Sequence, residues 1–206
     1  MTTAIPGPDL RERRRLATQA EIEHVALELF SRNGSERTTV DDIATAAGVS
    51  PRTFFRYFAT KEDAALGACR TFDDAVAGRV EAFVGRDASL ADLQDVIADV
   101  LGEMAAELGS IDRMLRVRCL VMEDAGLRSA LLRLDAEQSA AFFRRIAAAT
   151  GSPTVDLRTR VIAETLGAGL RAALDDWAAR REAGEETDVV ALYRRTCATQ
   201  RALAAG

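Results

Sequence analysis

The sequence predicts an all-α fold, in which a small N-terminal three-helix unit containing a helix-turn-helix precedes a larger helical unit. Three observations support this. Alanine and leucine are abundant, aromatic residues make up 5% and only four of the 206 residues are proline, a mixture that favours helices. Every long segment repeats its apolar residues at the 3.6-residue spacing of a helix, and none alternates as a strand does. Short stretches rich in Gly, Asp, Glu and Ser separate these segments.

The first helix is predicted from about Leu10 to Arg32. Its apolar stripe consists of Ile22, Val25, Ala26, Leu29 and Phe30. Asn33-Gly34 is a typical helix end. The "RERRR" run, Arg11 to Arg15, is compatible with two interpretations: an arm that enters a minor groove, or a solvated charge run that extends the helix.

Two short helices follow, one from about Val40 to Ala46 and one that begins at Pro51. Thr39 is a suitable N-cap for the first, and Ser50 with Pro51 gives the second a cap and a proline at its first position. Gly48 permits the tight turn between them. Residues 38–58 therefore have the pattern of a helix-turn-helix, and its predicted core is Ile43, Ala44, Ala47, Val49, Phe54 and Phe58.

The rest of the chain is predicted to be helical. Thr60 caps the next helix, with Asp63 as its capping-box partner. The predicted segments are 61–83, 89–108, 111–120, 125–149, 155–181 and 187–204.

Charge and composition exclude several classes of protein. The net charge is −5, but residues 1–61 are nearly balanced, with nine basic and eight acidic side chains, so nucleic acid could contact only a local surface there. No secretory h-region and no run of about 18 apolar residues occurs, so we expect a cytoplasmic protein without a membrane span. The three dispersed cysteines indicate neither disulfides nor zinc. No phosphate-binding loop, metal cluster or catalytic constellation accompanies the single histidine, His24, so we expect neither an enzyme nor a bound cofactor.

The segment from Thr38 to Asp63 resembles the DNA-binding signature of TetR-family transcriptional regulators. The matching pieces are "TTVDDIA" in the second helix, "AAGVS" in the turn, "RTFFRYF" in the recognition helix and "TKED" at the next helix start. The resemblance covers about residues 20–66. It implies a helix-turn-helix DNA-binding domain over 10–60, and a helical ligand-binding and dimerisation domain over 61–206.

The DNA contacts follow from the motif and from the resemblance. In a helix-turn-helix the N-terminal part of the second helix enters the major groove. The residues near that end, and hence the candidate DNA contacts, are Ser50, Pro51, Arg52, Thr53 and Arg56. Arg52 can bind guanine through two hydrogen bonds. The resemblance adds phosphate contacts by Thr39, Tyr57 and Lys61, the last being the only lysine in the chain. Phe55 occupies a position where tyrosine is common in the family. Without the hydroxyl it cannot donate a hydrogen bond to a phosphate, but its ring could still contact a thymine methyl or a sugar.

The resemblance also implies an effector pocket and a homodimer formed by the last two helices. Candidate pocket residues combine adaptable apolar groups with one polar group: Phe72, Met104, Leu108, Met114, Arg118, Met122, Phe142 and Phe143. The alternative for each of them is ordinary core or surface, where such residues more often lie. Candidate interface residues come from the apolar bands of the last two helices: Leu166, Leu170, Leu174, Trp177, Leu192 and Tyr193. The alternative for these six is the core of a single chain.

The leading functional hypothesis is a ligand-responsive repressor that binds a palindromic double-stranded DNA operator as a dimer and is released by a small, lipophilic effector. A second hypothesis is an architectural or activating DNA binder whose later helices serve only dimerisation. A third is a helical enzyme or small-molecule carrier that has lost DNA binding.

Overall fold

The structure, a computed structural model, describes residues 9–205, with side chains to Leu203. Within this range it contains ten α-helices and no strand, so the predicted all-α fold class is confirmed. The helices are α1 (Leu10–Asn33), α2 (Val40–Ala46), α3 (Pro51–Tyr57), α4 (Lys61–Ala65), α5 (Gly67–Glu81), α6 (Leu90–Ala106), α7 (Ser110–Glu123), α8 (Ala125–Ala149), α9 (Leu157–Glu182) and α10 (Val189–Ala205).

Local capping chemistry sets the starts of the short helices. Thr39 and Asp42 form a reciprocal capping box at α2, and Thr60 and Asp63 form another at α4. Each box satisfies two backbone N–H groups that a helix leaves without partners at its start. The side chain of Ser50 accepts a hydrogen bond from the backbone N–H of Thr53 and caps α3. These three caps are the ones predicted from the sequence.

The predicted helix over 61–83 is wrong in one respect, because it is two helices. The chain turns at Leu66, whose N–H bonds weakly to the carbonyl of Asp63 at 3.4 Å. Gly67 then opens α5 so close to α1 that a Cβ there would clash with the carboxylate of Glu23. The close approach to α1 is a long-range feature that periodicity does not reveal.

The chain divides into two compact units, of which the first ends at Gly67 and the second begins at Ala68. In the first unit, α1 packs against α2 and α4, and α2 packs against α3. Its core contains Ile22, Phe30, Ile43, Phe54 and Phe58, all at most 5% exposed. The "RERRR" run lies in the first turns of α1, so of its two interpretations the helical extension is confirmed.

In the second unit α9 is the central helix, and it packs against α6, α7, α8 and α10. Its own contribution to the core includes Ile162, Leu166, Ala173 and Trp177. The indole N–H of Trp177 donates to the carbonyl of Thr187 at 3.1 Å, which fixes the connection between α9 and α10. No helix of the described chain is long and apolar enough to cross a membrane.

Candidate nucleic-acid interface and ligand cavity

Helix α3 has one buried and one exposed face. The ring of Phe54 is fully buried and lies edge-on to that of Phe55, which is 58% exposed. Phe58, just after the helix, is also buried and contacts Phe54 at a centroid distance of 5.7 Å. Phe54 and Phe58 anchor the inner face, so the helix presents the remaining side chains outward.

The outward face of α3 carries most of the predicted DNA contacts. Pro51, Arg52, Phe55 and Arg56 are exposed, and Thr53 is half-buried. Within residues 9–205 the guanidinium of Arg52 has neither a hydrogen bond nor an ion pair, so its donors are available to a ligand. The guanidinium of Arg56 lies 5.8 Å from the ring centroid of half-buried Tyr57. This face therefore offers two cations on adjacent turns of one short helix.

Thr39 and Ser50 serve the backbone as well as the exposed face. The hydroxyl of Thr39 donates to Asp42 Oδ2 at 2.7 Å and accepts from the N–H of Asp42 at 3.1 Å. The hydroxyl of Ser50 lies 2.9 Å from that of Thr53. Both side chains are exposed at helix starts, and a phosphate would have to share hydroxyls that already act as caps.

Lys61 has a structural role that the sequence did not reveal. Its Nζ donates to the carbonyl oxygens of Ser35 at 2.5 Å and Thr38 at 2.9 Å, so it ties the start of α4 to the loop before α2. The ammonium also lies 5.9 Å from the ring centroid of Phe30. Two of its three N–H donors are therefore used within the first unit. The ammonium also forms an ion pair with the carboxylate of Glu62 at 3.8 Å, so a phosphate would share the remaining donor's surroundings with that carboxylate. The DNA contacts of all nine residues, from Thr39 to Lys61, stay predictions.

The second unit contains a cavity of about 550 Å³ between α5, α6, α7, α8 and α9. This volume is within the range of small-molecule sites. Five of the eight predicted pocket residues line it: Phe72, Met114, Arg118, Phe142 and Phe143. Ligand binding by these five stays a prediction.

Three predicted pocket residues lie outside the cavity wall. Leu108 is 99% exposed, because it follows the end of α6 in the turn before α7. Met122 is 41% exposed on the last turn of α7. Met104 is buried, but it belongs to the core rather than to the wall. Hydrophobicity alone did not separate the wall from the core and the surface.

Sequence reasoning missed the acidic groups of the wall, chiefly Asp73 and Asp135. Asp73 belongs with Cys69, Phe72 and Val76 to one face of α5, at the i, i+3, i+4, i+7 spacing of an apolar stripe. A carboxylate within such a stripe is the signal that could have identified it. Burial, and next the nearby carboxylate of Asp135, raise the pKa of Asp73 to about 7. Burial likewise raises the pKa of Asp135, against the opposing effect of two arginines, Arg171 and Arg118.

Five of the six predicted interface residues are buried within the single chain, and their part in a dimer stays a prediction. Leu166, Leu174, Trp177, Leu192 and Tyr193 are at most 6% exposed, and Leu170 is half-buried on the cavity wall. The broadest apolar band of each helix was assigned to the partner, whereas the fold uses it to pack α9 and α10 within one chain. The outward faces of these helices carry charged side chains and, among them, small ones: Val161, Ala168, Ala172, Ala179, Ala191, Ala198 and Ala202.

Comparison with known proteins identifies relatives of both units. The profile of the bacterial regulatory proteins of the tetR family matches residues 22–65. The HTH-type transcriptional regulator TcmR of Streptomyces glaucescens is 35% identical over 190 residues, which cover 90% of this chain and 82% of TcmR. The similarity therefore extends well beyond the helix-turn-helix.

Solved structures share the fold at low sequence identity. A structure from Syntrophomonas wolfei, assigned to the TetR family, is 16% identical with a TM-score of 0.63 and covers 93% of this chain and 97% of its own. The FadR repressor of Thermus thermophilus, in complex with lauroyl-CoA, is 22% identical with a TM-score of 0.54 and covers 87% and 91% of the two chains. At these identities the likeness concerns the fold alone.

Proposed function

Because the chain belongs to the TetR family of bacterial transcriptional regulators, we propose that it is a ligand-responsive repressor. In this proposal it binds a palindromic operator as a homodimer in the cytoplasm, and a small lipophilic effector releases it. The observation that carries the proposal is the outward face of α3, on which Arg52 is exposed and has no partner within the described residues.

Base recognition is assigned to the exposed end of α3. A guanidinium without a protein partner can donate two parallel hydrogen bonds to O6 and N7 of guanine in the major groove. Phe55 offers an apolar contact to a thymine methyl, and Arg56 can bind either a base or the backbone. The surrounding donors, on Thr39, Tyr57 and the third N–H of Lys61, would bind phosphates and fix the register of the helix on the duplex.

Dimerisation is assigned to the outward faces of α9 and α10. Leu157, Val161 and Leu203 are 77%, 56% and 78% exposed in the single chain. The exposed residues between them include six alanines, which let helices of two chains approach closely, set among charged side chains that can pair across an interface. A two-fold dimer would place two α3 helices on half-sites roughly 34–36 Å or a multiple apart.

Effector binding is assigned to the cavity. The complexes of FadR from Thermus thermophilus and Bacillus subtilis with lauroyl-CoA and stearoyl-CoA are precedents for lipophilic ligands in proteins of this fold. Helix α5 contributes Cys69, Phe72 and Val76 to the wall, and along the chain it directly follows α4. An occupied cavity that displaces α5 would thereby move α4 and Lys61. The effector must bind the released state better than the DNA-bound state, since only differential affinity shifts the equilibrium.

The test is a selection of genomic DNA fragments with the purified protein, followed by fluorescence anisotropy on the enriched fragments. We expect one shared palindrome that binds two chains. Arg52→Ala should weaken binding by about 1–3 kcal/mol and relax the preference at a single base pair. Arg32→Ala is the matched control, because Arg32 is an exposed arginine of the same unit that pairs with Glu28 on α1. Absence of an enriched palindrome at low salt, with and without cell extract, would refute the proposal.

A further inference from the structure

The charged side chains of the cavity wall are not balanced. Two of its three arginines are neutralised by carboxylates that lie outside the wall. The Nη2 of buried Arg118 pairs with Asp175, and the Nε of Arg145 pairs with Glu81 at 3.1 Å. Each of these two arginines therefore has a carboxylate partner outside the wall, and Arg118 also favours the charged form of Asp135.

Three carboxylates of the wall have no such partner. Within residues 9–205, Asp73, Asp135 and Glu164 accept no hydrogen bond and form no ion pair. Arg171 and Arg118 lie near enough to Asp135 to favour its charged form. Arg70 does the same for Asp73. The wall thus holds two neighbouring carboxylates, Asp73 and Asp135, without an ion-pair partner in the part of the chain that the structure describes.

The rest of the wall is apolar and partly aromatic. The rings of Phe72, Phe142 and Phe143 lie among aliphatic side chains, which suits a hydrophobic body. Aromatic faces also attract cations. Phe143 already has the guanidinium of Arg160 at 5.6 Å from its ring centroid.

We propose that the effector is a lipophilic cation, whose apolar body fills the aromatic part of the cavity and whose positive head lies between Asp73 and Asp135. This inference rests on the proposed function, because it takes the cavity as the effector site. A head group with phosphates, such as that of an acyl-CoA, would be repelled by the same two carboxylates, and this repulsion provides discrimination. The chain therefore shares the fold of the acyl-CoA-bound FadR proteins and selects a ligand of opposite charge.

The test uses a pair of probes with nearly equal size and shape and opposite charge, tetraphenylphosphonium and tetraphenylborate. Isothermal titration calorimetry with the full chain at pH 8 should give tetraphenylphosphonium a Kd at least roughly tenfold lower than that of tetraphenylborate. Equal or tighter binding of the borate, or no binding of the phosphonium, would overturn the proposal.

Matched variants show which carboxylates are responsible for the preference for the phosphonium. Asp73→Asn and Asp135→Asn should each weaken phosphonium binding roughly tenfold and leave or improve borate binding. Asp74→Asn and Glu137→Gln are the controls, because these exposed carboxylates are close in sequence on the same helices and do not line the cavity. If the controls weaken binding as much as the cavity variants, the effect belongs to the overall charge of the protein and the proposal fails.

A parallel measurement with operator DNA separates this inference from the proposed function. If lauroyl-CoA releases the DNA and tetraphenylphosphonium neither binds nor releases it, the effector class is wrong and the repressor remains. If no operator is found, the proposed function fails, and the calorimetric comparison still decides the charge preference of the cavity.

Discussion

The two units of the chain place their candidate functional groups in opposite ways. In the first unit a small core fixes α3 from inside, and the groups assigned to DNA point outward on its exposed face. In the second unit the groups assigned to the effector line a cavity between five helices. The outward groups depend on local helix geometry, whereas the inward groups depend on how distant segments pack. The same distinction determines which substitutions should harm folding and which should harm binding.

The largest expected effect is on the free energy of unfolding, and it should differ between two adjacent phenylalanines of α3. Phe54→Ala removes a fully buried ring and should lower the free energy of unfolding by about 3–5 kcal/mol. Phe55→Ala removes a ring that is 58% exposed, so it should change stability by no more than about 0.5 kcal/mol and lower DNA affinity instead. Urea unfolding followed by circular dichroism measures the first effect, and fluorescence anisotropy measures the second.

Equal destabilisation by the two alanine variants would contradict this inside-and-outside arrangement of α3. Unchanged DNA affinity in a stable Phe55→Ala protein would remove Phe55 from the predicted contacts while leaving the arrangement intact.

A smaller effect is expected in the second unit, where the carboxylate of Asp73, assigned to effector binding, should lower the free energy of unfolding. The pKa of Asp73 is about 7 in the folded chain, against an ordinary 3.8, because of burial and the carboxylates of Asp135 and Asp74, with Arg70 acting against them. Between these pH values the folded chain keeps a proton that the unfolded chain has released, so stability falls as the pH rises from about 4 to about 7. Asp73→Asn should therefore match the wild type near pH 4 and exceed it at pH 8, by at most about 4 kcal/mol.

Differential scanning calorimetry at several pH values measures this gain. Asp74 is the next residue on α5 and is exposed, so Asp74→Asn should give a far smaller gain in stability. A gain for Asp73→Asn that is independent of pH would show that the carboxylate is not the cause.

The smallest expected effect concerns Lys61, which belongs to both the interior and the exterior of the first unit. Lys61→Met leaves the carbonyls of Ser35 and Thr38 without their donor and should cost about 1–3 kcal/mol of stability. If the third N–H also binds a phosphate, removing that ammonium should make the slope of log K against log salt less negative by about 0.9. Lys61→Arg keeps the charge, so it should retain the slope and lose part of the stability, since a planar guanidinium suits these two carbonyls less well.

An unchanged salt slope in Lys61→Met would limit this residue to its structural role. Unchanged stability would instead mean that the two hydrogen bonds to carbonyls contribute nothing to the fold.

The sequence predicted most of the first unit because the signals there are short-range. Thr39, Ser50 and Thr60 each cap the helix that was predicted to follow them, and α2 has the predicted bounds of Val40 and Ala46. Phe54 and Phe58 are buried as their spacing indicated. What the sequence did not reveal here depends on contacts between distant residues: the turn at Leu66, and the carbonyl partners of Lys61, which are 23 and 26 residues away along the chain.

In the second unit the sequence predicted where helices lie better than what they face. The bounds of α8 matched, but Leu108 was predicted to be internal and is exposed, whereas Trp177 was predicted to meet a partner and is buried. An apolar residue can face the core, a cavity or another chain, and helical periodicity does not distinguish these environments. Asp73 was missed although it lies within an apolar stripe of α5, and Asp135 was missed because the packing of distant helices decides which residues surround it.

The buried indole of Trp177 is an intrinsic fluorescent probe of the second unit. It is the only tryptophan in the chain, it is 3% exposed, and it lies three residues after Leu174 of the cavity wall on α9. Emission excited at the red edge of the absorption band comes from this one ring, without contribution from Tyr57 or Tyr193. Its wavelength and lifetime therefore report on the surroundings of α9 in an unlabelled protein, and the occupancy of the cavity can be followed without a dye that would compete for the same apolar surface.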